Sequence, residues 1–123
     1  MSMFKLEVLR KCLQENNNIA LYTFGNSMFP TIKKGDKIIV EKIHGPILVN
    51  DIVLFFENQN ENYFFVAHRV IKIIGERFYI TKGDNNNNFD RPIRKQKILG
   101  KVVDIIPMKE DTIENHSEHI ICT

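Results

Sequence analysis

From Ile19 to Ile106 the chain alternates short runs of β-branched and aromatic residues with dense turn signals, a rhythm that restricts it to a mainly β fold. The runs are Ile19–Phe24, Lys37–Ile43, Asp51–Glu57, Tyr63–Ile74, Arg77–Thr81 and Ile98–Ile106. Between them stand Lys34-Gly35-Asp36, His44-Gly45-Pro46, Asn58–Asn62, Gly75-Glu76 and Gly83–Asn88, all rich in residues that favour turns. Strands of this length and spacing predict a compact antiparallel sheet or a partly closed barrel. No internal repeat interrupts the pattern.

The 123 residues fit a single domain, read as an N-terminal helical segment over 1–18, a β core over 19–106 and a tail over 107–123. Between Phe4 and Gln14 the periodicity changes: Leu6, Leu9 and Leu13 fall on one helical face, with charged residues opposite. Asn16-Asn17-Asn18 should end that helix, because asparagine prefers caps and turns to helix interiors. The tail after Pro107 loses periodicity and reads as loose or surface-bound.

Composition removes several function classes. A net charge of +2, with basic and acidic residues interleaved, gives no electrostatic footprint for nucleic acid, and none is expected as a partner. No stretch approaches the roughly 18–20 apolar residues that cross a bilayer, and charges at Lys5, Glu7, Arg10 and Lys11 occupy the place of a signal peptide's apolar region. The expectation is a cytoplasmic protein, with peripheral membrane association as the variant reading. Cys12 and Cys122 sit at opposite ends and form no Cys-x-x-Cys pattern; two reduced thiols are the favoured reading, with a disulfide between the ends as the alternative. His116 and His119 have metal-ligand spacing but sit in a segment read as exposed tail, so neither metal nor cofactor is expected.

Three segments carry the residues suited to chemistry. Gly25-Asn26-Ser27-Met28-Phe29-Pro30 holds a serine on a constrained bend, where its Oγ can be exposed and its N–H aimed at the same reacting centre. Ala67-His68-Arg69-Val70 offers an imidazole, the side chain best suited to take a serine proton near neutrality. Thr81-Lys82-Gly83-Asp84-Asn85-Asn86-Asn87-Asn88-Phe89-Asp90-Arg91 supplies two carboxylates, Asp84 and Asp90, either of which can hold that imidazole in the required tautomer. On their own these residues do not justify a triad: a lone serine beside proline is more often a turn residue, and a strand histidine more often a satisfied core or surface group. A histidine base implies activity that rises through about pH 6–7.

In this order and spacing the three segments resemble the type I signal peptidases, most of all the Ser/His branch of archaeal membranes, endospore-forming bacteria and the endoplasmic reticulum. That branch carries Ser-Met-x-Pro, then Gly-Asp, His-Arg-Val, Lys-Gly-Asp-Asn-Asn and a further Asp. Here these are Ser27–Pro30, Gly35-Asp36, His68–Val70, Lys82–Asn86 and Asp90. The resemblance spans roughly Thr23 to Val103 and extends in fold to the LexA-type self-cleaving repressors. It implies a serine endopeptidase with Ser27 as nucleophile and oxyanion donor, His68 as base and Asp90 as triad acid, and gives Asp84 a structural place. It also implies a substrate bound as an extended strand, with small side chains before the cleaved bond. Met28, Phe29 and Phe65 are candidates to line the substrate groove.

The expected departures from that family are the absence of an anchoring segment, read from these 123 residues, and Gly25 where some bacterial members have a second oxyanion-donating serine. Asn18 and Asn26 are the nearest amide side chains, and Phe89 replaces one aspartate of a frequent pair. The expected substrate is a precursor peptide or protein that loses a leader segment, with a membrane or exporter as a further partner. Two other readings stay open: an inactive peptide-binding module on the same fold, and a self-cleaving regulatory domain. No helix-turn-helix precedes the β region and no Ala-Gly bond is present, which counts against the second.

Overall fold

A computed structural model describes residues 3–109 and 120–122. The amphipathic segment forms α1 (Met3–Asn16). Leu6, Leu9 and Leu13 are all buried, and Leu9 and Leu13 join the first of two apolar clusters. The helix ends where Asn17 turns to φ 68°, its N–H still donating to the Leu13 carbonyl at 2.9 Å.

The strands are β1 (Asn18–Tyr22), β2 (Lys37–Glu41), β3 (Ile52–Gln59), β4 (Asn62–Ile74), β5 (Phe78–Lys82), β6 (Ile93–Arg94), β7 (Ile98–Ile106) and β8 (Ile120–Cys122). They form one sheet in the order β6-β5-β4-β3-β7-β2-β1-β8, with every pairing antiparallel. Its outermost strands, β6 and β8, do not pair with each other, so the sheet stays open. The β3–β4 and β4–β5 hairpins turn through residues of positive φ, Asn60-Glu61 and Gly75-Glu76, as the twist of paired strands requires.

β3 lies at the centre, and successive side chains feed opposite faces. Ile52 and Leu54 enter the first cluster with α1, β1 and β2; Val53 and Phe55 enter the second, with Val70, Tyr79, Ile93 and Ile98. Burial on both faces explains why Ile52–Phe56 is continuously apolar rather than alternating.

β4 is long enough to serve two neighbours. Residues 62–69 pair with β3, and from Arg69 onward the strand pairs with β5. Its register slips by one residue between Val70 and Lys72, a bulge close to the junction. His68, opposite Val53, occupies that junction.

Two expectations change. The tail is not wholly without structure, because β8 pairs with β1 through Ala20↔Ile121. Cys12, buried on α1, is in a disulfide and is not the reduced thiol expected. Three residues of strand after a non-periodic segment leave too little pattern to be read in advance. His116 and His119 lie outside the described residues. Among the described residues no helix is long and apolar enough to cross a membrane.

Candidate active site

The serine segment leaves β1 and is folded by its own turns. Gly25 takes φ 75°, a conformation that a β-carbon disfavours, and the Phe29 N–H donates to the Asn26 carbonyl at 3.1 Å. Two anchors then fix Ser27. Its neighbour Met28 is buried in the first cluster, and its own carbonyl accepts the Asn85 N–H at 2.9 Å. At the far end of the segment the buried Asp36 accepts from the Lys33 N–H at 2.8 Å and the Met108 N–H at 3.1 Å. The Gly-Asp of the sequence thus ties the loop to the exit of β7.

His68 meets this segment from the sheet. Its ring is 7% exposed and stands edge-on to Phe55, with centroids 6.2 Å apart. His68 Nε2 lies 3.0 Å from Ser27 Oγ, and His68 Nδ1 lies 2.5 Å from Asp90 Oδ2. Hydrogen bonds at both nitrogens orient the ring completely. The arrangement suits an Nδ1–H donating to the carboxylate while Nε2 accepts from the hydroxyl.

Asp90 comes from the loop after β5, and its N–H donates to the Thr81 carbonyl at 2.8 Å. Burial pushes its carboxyl pKa up. Hydrogen bonds from His68 and Thr81, with the nearby charges of His68 and Lys82, outweigh that and hold it below the ordinary aspartate value. Asp90 is therefore an anion near neutrality.

Asp84 does different work. Arg69, next to His68, grips it with two parallel bonds, Nε to Oδ1 at 2.9 Å and Nη2 to Oδ2 at 2.8 Å. Thr31 Oγ1 donates to the same Oδ2 at 2.6 Å, and the Asp84 N–H points to Met28 Sδ at 3.3 Å. One aspartate thus ties the serine segment, the histidine strand and the acid loop together. The Arg69 bonds lower its pKa most, burial opposes them, and Thr31 and the charges of Arg69 and Lys82 add to the lowering.

That depression has a consequence for acid stability. A carboxyl with a folded-state pKa below its unfolded value, about 3.9, stabilises the fold fully above that value and stops doing so as pH falls through the folded one. The parent protein should therefore lose stability more steeply than Asp84→Asn as pH falls below about 4. Urea denaturation across that range reads the difference. Equal slopes would remove Asp84 from the account.

Gly83 allows the close approach of the two loops. A β-carbon there would sit 2.6 Å from the Ser27 carbonyl oxygen and 2.6 Å from the Asn86 amide nitrogen. The serine backbone would have to move. Gly83→Ala should cost about 1–3 kcal/mol, the range for overpacking, and displace Ser27 Oγ from His68. A crystal structure and a denaturation curve of this variant check both effects.

Of the groove candidates, Met28 is buried, Phe29 is 47% exposed and Phe65 is partly buried against the first cluster. Asn18 opens β1 opposite Glu41, at the end of the strand away from Ser27, whereas Asn26 directly precedes it. Thr81, Thr31, Gly83 and Asn85 carry much of the site's geometry although no role was assigned to them in advance. Gly83 and Asn85 stand within the Lys82–Asn86 box, and Thr81 is legible as a hydroxyl at the inward position two residues after Tyr79 on a buried strand.

Ser27, His68 and both aspartates lie within residues 3–103, the stretch that matches the Peptidase S24-like family model. The chain belongs to the Peptidase S24-like family, a family of serine peptidases related to signal peptidases. It is similar to signal peptidase I of Bacillus caldolyticus, with 30% identity over 98 residues, covering 72% of this chain and 52% of that protein. It is also similar to the signal peptidase complex catalytic subunit SEC11 of Ogataea parapolymorpha, with 25% identity over 129 residues, covering 87% of this chain and 72% of that one. The alignment thus spans about half the length of the Bacillus relative. No solved structure gives a significant match.

Proposed function

We propose that the protein is a serine endopeptidase that removes a leader segment from a precursor peptide or protein. The observation carrying this reading is the unbroken relay from Ser27 Oγ to His68 Nε2, and from His68 Nδ1 to Asp90. Ser27 Oγ attacks the scissile carbonyl carbon as its proton passes to His68 Nε2. The oxyanion formed accepts the Ser27 N–H. Collapse breaks the C–N bond, and His68 returns the proton to the departing amine. Water, deprotonated by the same nitrogen, then attacks the acyl ester and releases the acid and Ser27. Asp90 remains an anion throughout and stabilises the imidazolium.

The signal peptidase relatives support a leader-type substrate. Binding as an extended strand would draw affinity from the backbone and selectivity from side-chain pockets, with the exposed Phe29 beside the nucleophile as an apolar surface. A membrane or exporter partner belongs to this reading as the source of the precursor.

A serine-directed phosphonate tests the chemistry without knowledge of the substrate. Covalent labelling of Ser27, blocked when His68 is replaced by alanine, is the expected result. An intact, folded protein that takes no label at Ser27 would place the chain among inactive binding modules on this fold.

A further inference from the structure

We propose that Thr81 is a positioning residue for the Asp90–His68 pair, its buried hydroxyl fixing the carboxylate oxygen that orients the imidazole. This deepens the peptidase reading and rests on it for the meaning of turnover, though the underlying coupling is measurable without turnover.

Asp90 belongs to a loop, and a loop carboxylate is free to rotate unless something holds it. His68 alone is a poor holder, because its imidazole must gain and lose a proton in each cycle. Thr81 supplies what is missing. It sits on β5 opposite Val70, two residues from His68 along β4, and inward-facing positions at that spacing share one face of the sheet. Two strand-borne residues therefore bracket one loop-borne acid.

The contact is made at two points. The Thr81 carbonyl accepts the Asp90 N–H at 2.8 Å, which fixes the backbone of the acid. The Thr81 hydroxyl donates to Asp90 Oδ2 at 2.7 Å, which fixes its carboxylate. Oδ2 is the same oxygen that lies 2.5 Å from His68 Nδ1.

Packing alone does not call for threonine here. Thr81 is fully buried, and valine has nearly its shape and suits a buried strand better. A buried hydroxyl is costly unless it is bonded, and this one is bonded to the acid. A merely structural Thr81 would be replaceable by valine and indifferent to the chemistry of Asp90. The charged and titratable groups around that carboxylate are His68 from β4 and Lys82 from β5.

The test compares Thr81→Val with Thr81→Ser in the full chain. It uses steady-state cleavage of a leader peptide and NMR titration of the 13C-labelled Asp90 carboxyl. In Thr81→Val, kcat should fall about tenfold, the scale of one hydrogen bond. KM should hold, because a fully buried residue does not touch substrate. The Asp90 titration should move to higher pH, since a donor to the anion has been removed. Thr81→Ser keeps the donor and should restore both.

Unchanged kcat and unchanged Asp90 titration in Thr81→Val would overturn the proposal. So would a serine variant as impaired as the valine one. If the chain cleaves no peptide, the Asp90 titration alone decides this proposal, and Ser27 labelling decides the peptidase reading. If Thr81→Val fails to fold, Thr81→Ala removes the same donor without adding volume and takes its place in each comparison.

Discussion

Ser27→Ala should abolish peptide cleavage and phosphonate labelling while leaving the melting temperature within a few degrees of the parent. The segment's fold does not depend on the hydroxyl: Met28 burial, Gly25 and the bond from Asn85 to the Ser27 carbonyl all survive the change. Only the 3.0 Å contact with His68 Nε2 is lost. In a well-studied serine protease, removing the nucleophile costs roughly 10⁶ in kcat, and removing its histidine costs about as much. His68→Ala should therefore match Ser27→Ala, and the double variant should be no worse than either, since the two residues act as one unit. Equilibrium binding of an uncleaved precursor by Ser27→Ala is expected to persist. Turnover by Ser27→Ala near the parent rate would remove this serine from the chemistry, whatever its distance from the imidazole.

The central strands could be read from the sequence because their burial is written in consecutive residues. Ile52–Phe56 and Tyr63–Ile74 could hardly be anything but strands, and their turns carry residues that tolerate positive φ. β6 was hidden for the opposite reason: two residues after Pro92 have no period, and they pair only because Tyr79 offers Ile93 an edge. β8 escaped likewise, and with it the approach of the chain's end to α1.

At the site, Ser27 and His68 stood out through the resemblance of their segments to the signal-peptidase boxes, since residue chemistry alone also suits a turn serine and a strand histidine. The division of labour between the aspartates was less visible. Which carboxylate meets the imidazole depends on how the loop after β5 folds back, and two neighbouring residues set that path. Arg69 binds Asp84 at the near end of the loop, and Thr81 binds Asp90 at the far end. Arginine beside the histidine looks, in sequence, like an ordinary strand charge. Its planar fork, held further by a bond from Nη1 to the Asn50 carbonyl at 3.0 Å, makes it the strut of the site.

The two aspartates should separate cleanly by mutation. Asp90→Asn keeps the size of the side chain but removes the anion beside Nδ1. An amide can turn its NH2 toward the ring and favour the tautomer that protonates Nε2, the nitrogen that must accept the Ser27 proton. Replacing the triad acid this way costs about 10⁴ in kcat in the best-studied case, and a loss approaching that size is expected here. Stability should change little by comparison, because the Thr81 hydroxyl can accept from the amide NH2 that then stands in the place of Oδ2. Asp84→Asn breaks a different structure: it discharges one half of a partly buried, bidentate pair and leaves Arg69 without its counter-ion. Hydrogen bonds to charged groups contribute about 1.5–3 kcal/mol, so a loss of about 2 kcal/mol in stability is expected at neutral pH. Turnover below the melting transition should fall far less than in Asp90→Asn. Melting temperature and kcat, measured on both variants at one pH, give a crossed pattern: one loses rate, the other loses stability. The reverse pattern, with Asp84→Asn inactive but stable and Asp90→Asn nearly unimpaired, would hand the imidazole to Asp84 and break the relay proposed above.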